Sequence, residues 1–133
     1  QTHCFSKESG GMLFSNNLND SEIEINKITT PGSTDLRKRN YFKLDEKKAK
    51  EDIISLFKQG FHYLGDWHTH NEGMASPSGT DIRSIQDLFI KSGHTRPFFL
   101  MLIIPNKENI SHCYLSAADG KMLYKFTYQK PNK

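Results

Sequence analysis

The 133-residue chain, with 35% hydrophobic and 25% charged residues, has room for one packed domain and not for two. Its most apolar stretch, Phe98 to Ile104, is strand-length, far short of the roughly 18 residues a membrane helix needs. The net charge of +3 is mild, and its basic runs lie among acids, which reads as a solvated surface rather than a nucleic-acid footprint.

In chain order, Gly10-Gly11 leads into Met12-Leu13-Phe14, a short apolar run expected to be a strand. From Ser21 to Ile28 the isoleucines at 23 and 25 alternate with polar residues, the period of a half-buried strand. Thr29 to Asn40 has no periodicity and is rich in Thr, Pro, Gly, Ser and Arg, so a long loop is expected. A short strand over Tyr41–Leu44 follows. Asp45 reads as a helix N-cap, and Ala49, Ile53, Ile54, Leu56 and Phe57 recur at helical spacing until Gly60.

Tyr63 to His70 is the next strand. A second helix is predicted from Ser78 or Gly79, with Ile82, Ile85, Leu88 and Phe89 as its stripe and Gly93 as its end. Phe98–Ile104 reads as a central strand stopped by Pro105 and Asn106. Ile110–Leu115 and Met122–Tyr128 are expected to pair as a hairpin about Ala118-Asp119-Gly120. The expected fold class is therefore mixed α/β, a sheet with helices packed on it. Cys4 and Cys113 lie far apart and outside any C-x-x-C pattern, so they are read as thiols in a reducing, cytoplasmic setting rather than a disulfide.

The chemistry concentrates between Trp67 and Asp81. On a strand, residues i and i+2 share a face about 7 Å apart, so His68 and His70 can converge on one ion while Thr69 faces away. Asp81, in the first turn of the following helix, can supply a carboxylate as third ligand. Two imidazoles and a carboxylate leave a fourth tetrahedral position for water, the pattern of a catalytic zinc site. Each residue also has an ordinary reading. Strand histidines are commonly surface or core groups, and Ser78-x-x-Asp81 before an apolar run is a capping box. Capping and ligation are compatible, because the cap places the helix while the carboxylate faces the strand. Trp67 reads more readily as a core aromatic than as a wall of the site.

Joint occurrence of these parts carries a family resemblance. His68-x-His70, seven residues, then Ser78-x-x-Asp81 resembles the metal motif of the JAMM (JAB/MPN+) zinc metalloproteases, and Lys7-Glu8-Ser9-Gly10-Gly11 resembles that family's upstream Glu element. The form Tyr63-Leu64-Gly65-Asp66-Trp67-His68-Thr69-His70 is similar to the bacterial JAB-type deconjugases of CBASS antiphage operons. The resemblance implies a JAB/MPN-like fold, a curved, mostly antiparallel sheet flanked by helices. It implies one Zn²⁺ per chain on His68, His70 and Asp81, with Glu8 as the acid–base carboxylate and Ser78 as hydrogen-bond donor to the oxyanion. Glu72 and Glu51 are the rival carboxylates.

The implied substrate is the bond after the C-terminal glycine of a ubiquitin-like protein, in its conjugates or its precursor, with a conjugated nucleotidyltransferase of a defence operon as a candidate target. The Thr29–Asn40 and Asn71–Pro77 loops would wall the groove for that tail. The same motif leaves two other readings, an amidase acting on a sulfur-carrier conjugate and a scaffold module without turnover. Family members commonly carry proline where Asn71 stands. They also carry a strand and helix ahead of the Glu element, so residues 1–133 are expected to form a single domain lacking that strand and helix.

Overall fold

The computed structural model describes residues 8–18, 22–38, 41–70, 77–91, 98–105, 113–119 and 121–127. In chain order the elements are β1 (Gly10–Ser15), β2 (Lys27–Ile28), β3 (Leu36–Lys38), β4 (Tyr41–Lys43), α1 (Glu46–Lys58), β5 (His62–His70), α2 (Gly79–Lys91), β6 (Phe99–Pro105), β7 (Tyr114–Ala118) and β8 (Leu123–Lys125). Six strands form one sheet in the order β2-β1-β5-β6-β7-β8, and β3 pairs with β4 separately. All neighbours in the main sheet run antiparallel except β5 and β6, which run parallel, with α2 between them in sequence. The fold is thus the mixed α/β, mostly antiparallel architecture the sequence implies.

Both helices pack on the same face of the sheet. Ile85 of α2 meets Phe99, Met101, Ile103 and Ala118. Leu56 of α1, with the half-buried Ala49 and Ile53, meets Met12 and Phe14. Tyr63 touches both groups, its ring 5.8 Å from that of Phe14 and 5.4 Å from that of Phe99. The opposite face gathers Leu13, Leu64, Leu100 and Ala117, with Trp67, Leu102 and Leu115 packed around them.

A bulge in β5 decides which of its residues face the helices. Register along β1–β5 shifts between Leu13 and Phe14, whose partners are Gly65 and Tyr63, so Leu64 has no partner of its own. Gly65 sits at φ +152°, and a Cβ there would lie 1.9 Å from the Leu100 carbonyl oxygen. Only glycine fits that close approach. Because strand side chains alternate, one inserted residue moves everything beyond it to the other face. Tyr63 and Asp66, three residues apart, therefore share the helix face, and the Tyr63 hydroxyl donates to Asp66 Oδ1 at 2.7 Å. Leu64 and Trp67, also three apart, share the opposite face. Burial pushes the Asp66 carboxyl up to about 6, with the Tyr63 hydrogen bond and His68 acting against it. The same burial pushes the Tyr63 phenol well above its usual value.

Several expectations are corrected. The alternating segment from Ser21 to Ile28 is not a half-buried strand. Among its described residues only Lys27–Ile28 pairs with β1 as a strand, and Ile23, Ile25 and Ile28 remain 39%, 38% and 52% exposed. The Thr29–Asn40 loop contains β3, which pairs residue for residue with β4 from Leu36↔Lys43 to Lys38↔Tyr41. Its charged sequence hid an edge hairpin that buries no stripe. On α1, Ile54 and Phe57 are exposed rather than packed, although Asp45 caps the helix as expected, accepting from the Lys47 and Lys48 amides. β7 runs on through Ala118, and Asp119 turns the chain by accepting from the amides of Lys121 and Met122. The side chains of Leu88 and Phe89, and the residues Gly93, Ile110 to His112, Gly120 and Tyr128, lie outside the described residues.

Gly65→Ala should lower unfolding free energy by about 3 kcal/mol or more, because neither the φ angle nor the Leu100 backbone can accommodate it. Tyr63→Phe should cost about 1–3 kcal/mol by leaving the Asp66 carboxyl short of a donor. Urea denaturation measures both.

Candidate metal centre

Beyond the bulge, Asp66, His68 and His70 project from β5 toward the helices. The Nε2 atoms of His68 and His70 stand 3.1 Å apart, their rings 4.9 Å between centroids. His70 Nε2 lies 3.0 Å from Asp81 Oδ2, and His68 Nε2 lies 3.3 Å from Asp81 Oδ1. Among the described residues these three side chains form a group able to hold a metal ion. All are largely withdrawn from water, with side-chain exposures of 15%, 10% and 18% for His68, His70 and Asp81.

Asp81 reaches the strand because its helix starts with a complete capping box. The Ser78 amide donates to Asp81 Oδ2 at 2.9 Å, and the Asp81 amide donates to Ser78 Oγ at 3.0 Å. The Ile82 amide then closes the first turn on the Ser78 carbonyl at 3.1 Å. Capping and ligand geometry thus coexist on one carboxylate. Burial alone would push the Asp81 carboxyl up. Hydrogen bonds from His68, His70 and the Ser78 amide outweigh it and hold the carboxyl well below the usual carboxylate range. Ser78 itself is exposed, and its oxygen, though accepting from Asp81, keeps its own hydrogen to donate.

The donor set fits zinc. Tetrahedral bonds of about 2.0–2.1 Å separate neighbouring ligand atoms by about 3.3 Å; the two Nε2 atoms here are 3.1 Å apart, and each lies 3.0–3.3 Å from one of the two Asp81 oxygens. Each imidazole offers its Nε2 and Asp81 a carboxylate oxygen, the donor types zinc prefers. A pair of imidazole nitrogens facing each other across 3.1 Å is tolerated only when a proton or a cation lies between them.

Glu8 is buried, at 6% exposure. The β1–β5 register pairs Gly10 with His68, and the ladder continues with the Thr69 amide donating to the Ser9 carbonyl at 2.8 Å. One further step sets Glu8 opposite His70, on the histidine face. Beside His68, Gly10 leaves space that Phe42 fills, since a Cβ there would lie 2.5 Å from the Phe42 ring. Trp67 points the other way, donating from Nε1 to the Thr29 carbonyl at 2.9 Å within the opposite core, so it does not wall the site.

Of the rival carboxylates, Glu51 is exposed on α1, while Glu72 and the rest of the 71–76 loop lie outside the described residues. Spacing arguments missed the β3–β4 hairpin as a neighbour of Glu8: the Glu8 amide donates to the Lys38 carbonyl at 2.8 Å, and Arg37 Nε donates to the Glu8 carbonyl at 3.1 Å. Cys113 is half-buried, and burial raises its thiol pKa, whereas Cys4 lies outside the described residues.

Ser78→Ala should cost about 0.5–2 kcal/mol by removing half of the capping box, and Ser78→Thr should restore most of it, both read by thermal unfolding.

Comparison with known proteins identifies the family and the fold. Residues 1–116 match the family described as prokaryotic homologs of the JAB domain. A protein of Escherichia coli strain TW11681 named CD-NTase/cGAS isopeptidase is 39% identical over 87 residues, 63% of this chain and 55% of its own length. Proteins of the same name from Enterobacter hormaechei and Vibrio cholerae are 31% identical over 88 residues and 33% identical over 111. The first of these alignments takes in 65% of this chain and 49% of the relative, the second 81% and 68%. The chain thus spans about half the length of the first two relatives. A solution structure from Desulfitobacterium hafniense shares the fold at TM-score 0.64 and 19% identity, over 90% of this chain and 75% of that one. One from Salinibacter ruber does so at TM-score 0.51 and 16% identity, over 94% and 78%. With its histidines, aspartate and sheet order in place, the chain belongs to the prokaryotic JAB-domain family.

Proposed function

We propose that this protein is a zinc-dependent isopeptidase that cleaves the bond after the C-terminal glycine of a ubiquitin-like protein. The observation that carries the reading is the convergence of His68, His70 and Asp81 within 3.0–3.3 Å of one another. His68, His70 and Asp81 would hold one Zn²⁺ per chain. When bound, the ion supplies Lewis-acid chemistry, acidifying water and polarising an amide carbonyl.

Glu8 accepts the proton of the attacking water and returns it to the leaving lysine amine. A carboxylate outside the ligand set suits that work, because it can change protonation without disturbing the groups that hold the metal. The Ser78 hydroxyl donates to the oxygen that gains charge as the carbonyl carbon becomes tetrahedral. Burial around Glu8 and His70 limits competing water. Relatives named CD-NTase/cGAS isopeptidases support the isopeptide bond and point to a nucleotidyltransferase as the modified target. We further take residues 1–133 as one domain acting in the cytoplasm. Among the described residues no helix is long and apolar enough to cross a membrane.

Purified protein should carry about one zinc per chain by metal analysis, and chelation should abolish hydrolysis of ubiquitin bearing aminomethylcoumarin on its C-terminal glycine. Glu8→Gln should keep the metal and lower kcat by about 100-fold or more. His70→Ala should lose both metal and turnover. A metal-free, active wild-type protein would sink the proposal.

A further inference from the structure

Alternate residues of a strand turn their N–H and C=O groups to the same side, where each needs a partner. Along the chain from Glu8 to Ser15 the partners on the side away from β5 change. Phe14 takes the Asn26 amide at 3.1 Å. Met12 donates to Thr29 Oγ1 at 2.8 Å and accepts from the Thr29 amide at 3.0 Å. At Glu8 the partner is the β3–β4 hairpin, through Lys38 O at 2.8 Å and Arg37 Nε at 3.1 Å. On the inner side, Ser9 is tied to Thr69 in both directions, its amide donating to Thr69 Oγ1 at 2.9 Å. Phe42 anchors the hairpin over Gly10, next to His68 in register.

We propose that the β3–β4 hairpin is the positioning element for Glu8, with Arg37 as the positioning residue that holds its carbonyl while Lys38 holds its amide. The proposal rests on the reading of Glu8 as the acid–base carboxylate. The family resemblance implies that the Thr29–Asn40 loop, which contains Arg37, walls the substrate groove. The geometry gives Arg37 a different task, because its Nε–H is spent on the main chain of Glu8. Such a clamp matters because a base must stand within about 2.6–3.2 Å of the proton it takes. A misplacement of about 1 Å can cost roughly 100-fold in rate. The Ser9–Thr69 bonds hold the chain on its inner side and the hairpin's bonds hold Glu8 on its outer side, so removing an outer bond loosens the main chain that carries the carboxylate.

Arg37→Met keeps the aliphatic stem and deletes the Nε–H. In the zinc-loaded variant, hydrogen exchange of the Glu8 amide should quicken about tenfold while the Trp67–His70 amides keep their protection. With ubiquitin-aminomethylcoumarin, kcat should fall about tenfold or more and KM should stay within about twofold. In a Glu8→Gln background the same change should have no further effect, since a residue acting only through Glu8 has nothing left to position. Unchanged exchange at Glu8 overturns the clamp whatever the activity. A raised KM with kcat intact, or an additive loss in the double variant, overturns it by making Arg37 a substrate contact. Faster Glu8 exchange in a chain whose Glu8→Gln variant hydrolyses normally would instead remove Glu8 as the base and overturn the positioning role with it.

Discussion

The architecture turns on one close approach, the backbone of Gly65 against the Leu100 carbonyl, where no side chain fits. Strands alternate strictly, so a strand of nine residues without irregularity would set Tyr63 and His68 on opposite faces. The bulge at Gly65 lets β5 serve two purposes in sequence. Its first half contributes Tyr63 to the apolar layer under both helices, and its second half turns Asp66, His68 and His70 toward that same layer. Without the extra residue, either the ring or the imidazoles would face the opposite side of the sheet.

The second constraint is carried by a single carboxylate. Asp81 accepts the Ser78 amide while touching both imidazoles, so helix nucleation and donor geometry are satisfied together. A cap contributes about 1 kcal/mol to stability, far less than structural zinc binding, at about 10–16 kcal/mol, can supply to a folded site. The ordering matters more than the sums. The cap holds Asp81 in place before any ion arrives, so a metal would meet ligands already converged rather than assembling them.

These features differ in how openly the sequence displays them. His68, His70, Ser78 and Asp81 are legible because their chemistry follows from fixed spacings, two on a strand and three at a helix start. Asp45 and the apolar run of β6 are legible for similar local reasons. The segment from Ser21 to Ile28 misled because alternation records a capacity for burial, whereas Ile23, Ile25 and Ile28 stay exposed. The β4 half of the hairpin was expected from Tyr41–Leu44, but its partner β3 was invisible because Leu36-Arg37-Lys38 buries little and is held by backbone pairing. Gly65 is visible as a residue, but its conformation depends on Leu100, which lies far along the chain.

What unites the legible and the hidden parts is that β5 is bounded on both sides by segments distant in sequence, each with its own hold. On one side the parallel pairing with β6 runs from Gly65↔Leu100 to His70↔Pro105, so the ligand strand is tied along its whole second half. On the other, pairing with β1 continues through Ser9, beyond which the hairpin holds the backbone of Glu8. The imidazoles therefore sit on the best-supported stretch of the sheet, while the carboxylate opposite them stands where the sheet gives way to a two-stranded strap. For the roles proposed above, rigidity on one side and a separable support on the other is what acid–base chemistry beside a metal would require. Ligands would have to stay fixed, and the proposed proton carrier would have to be held close without joining them.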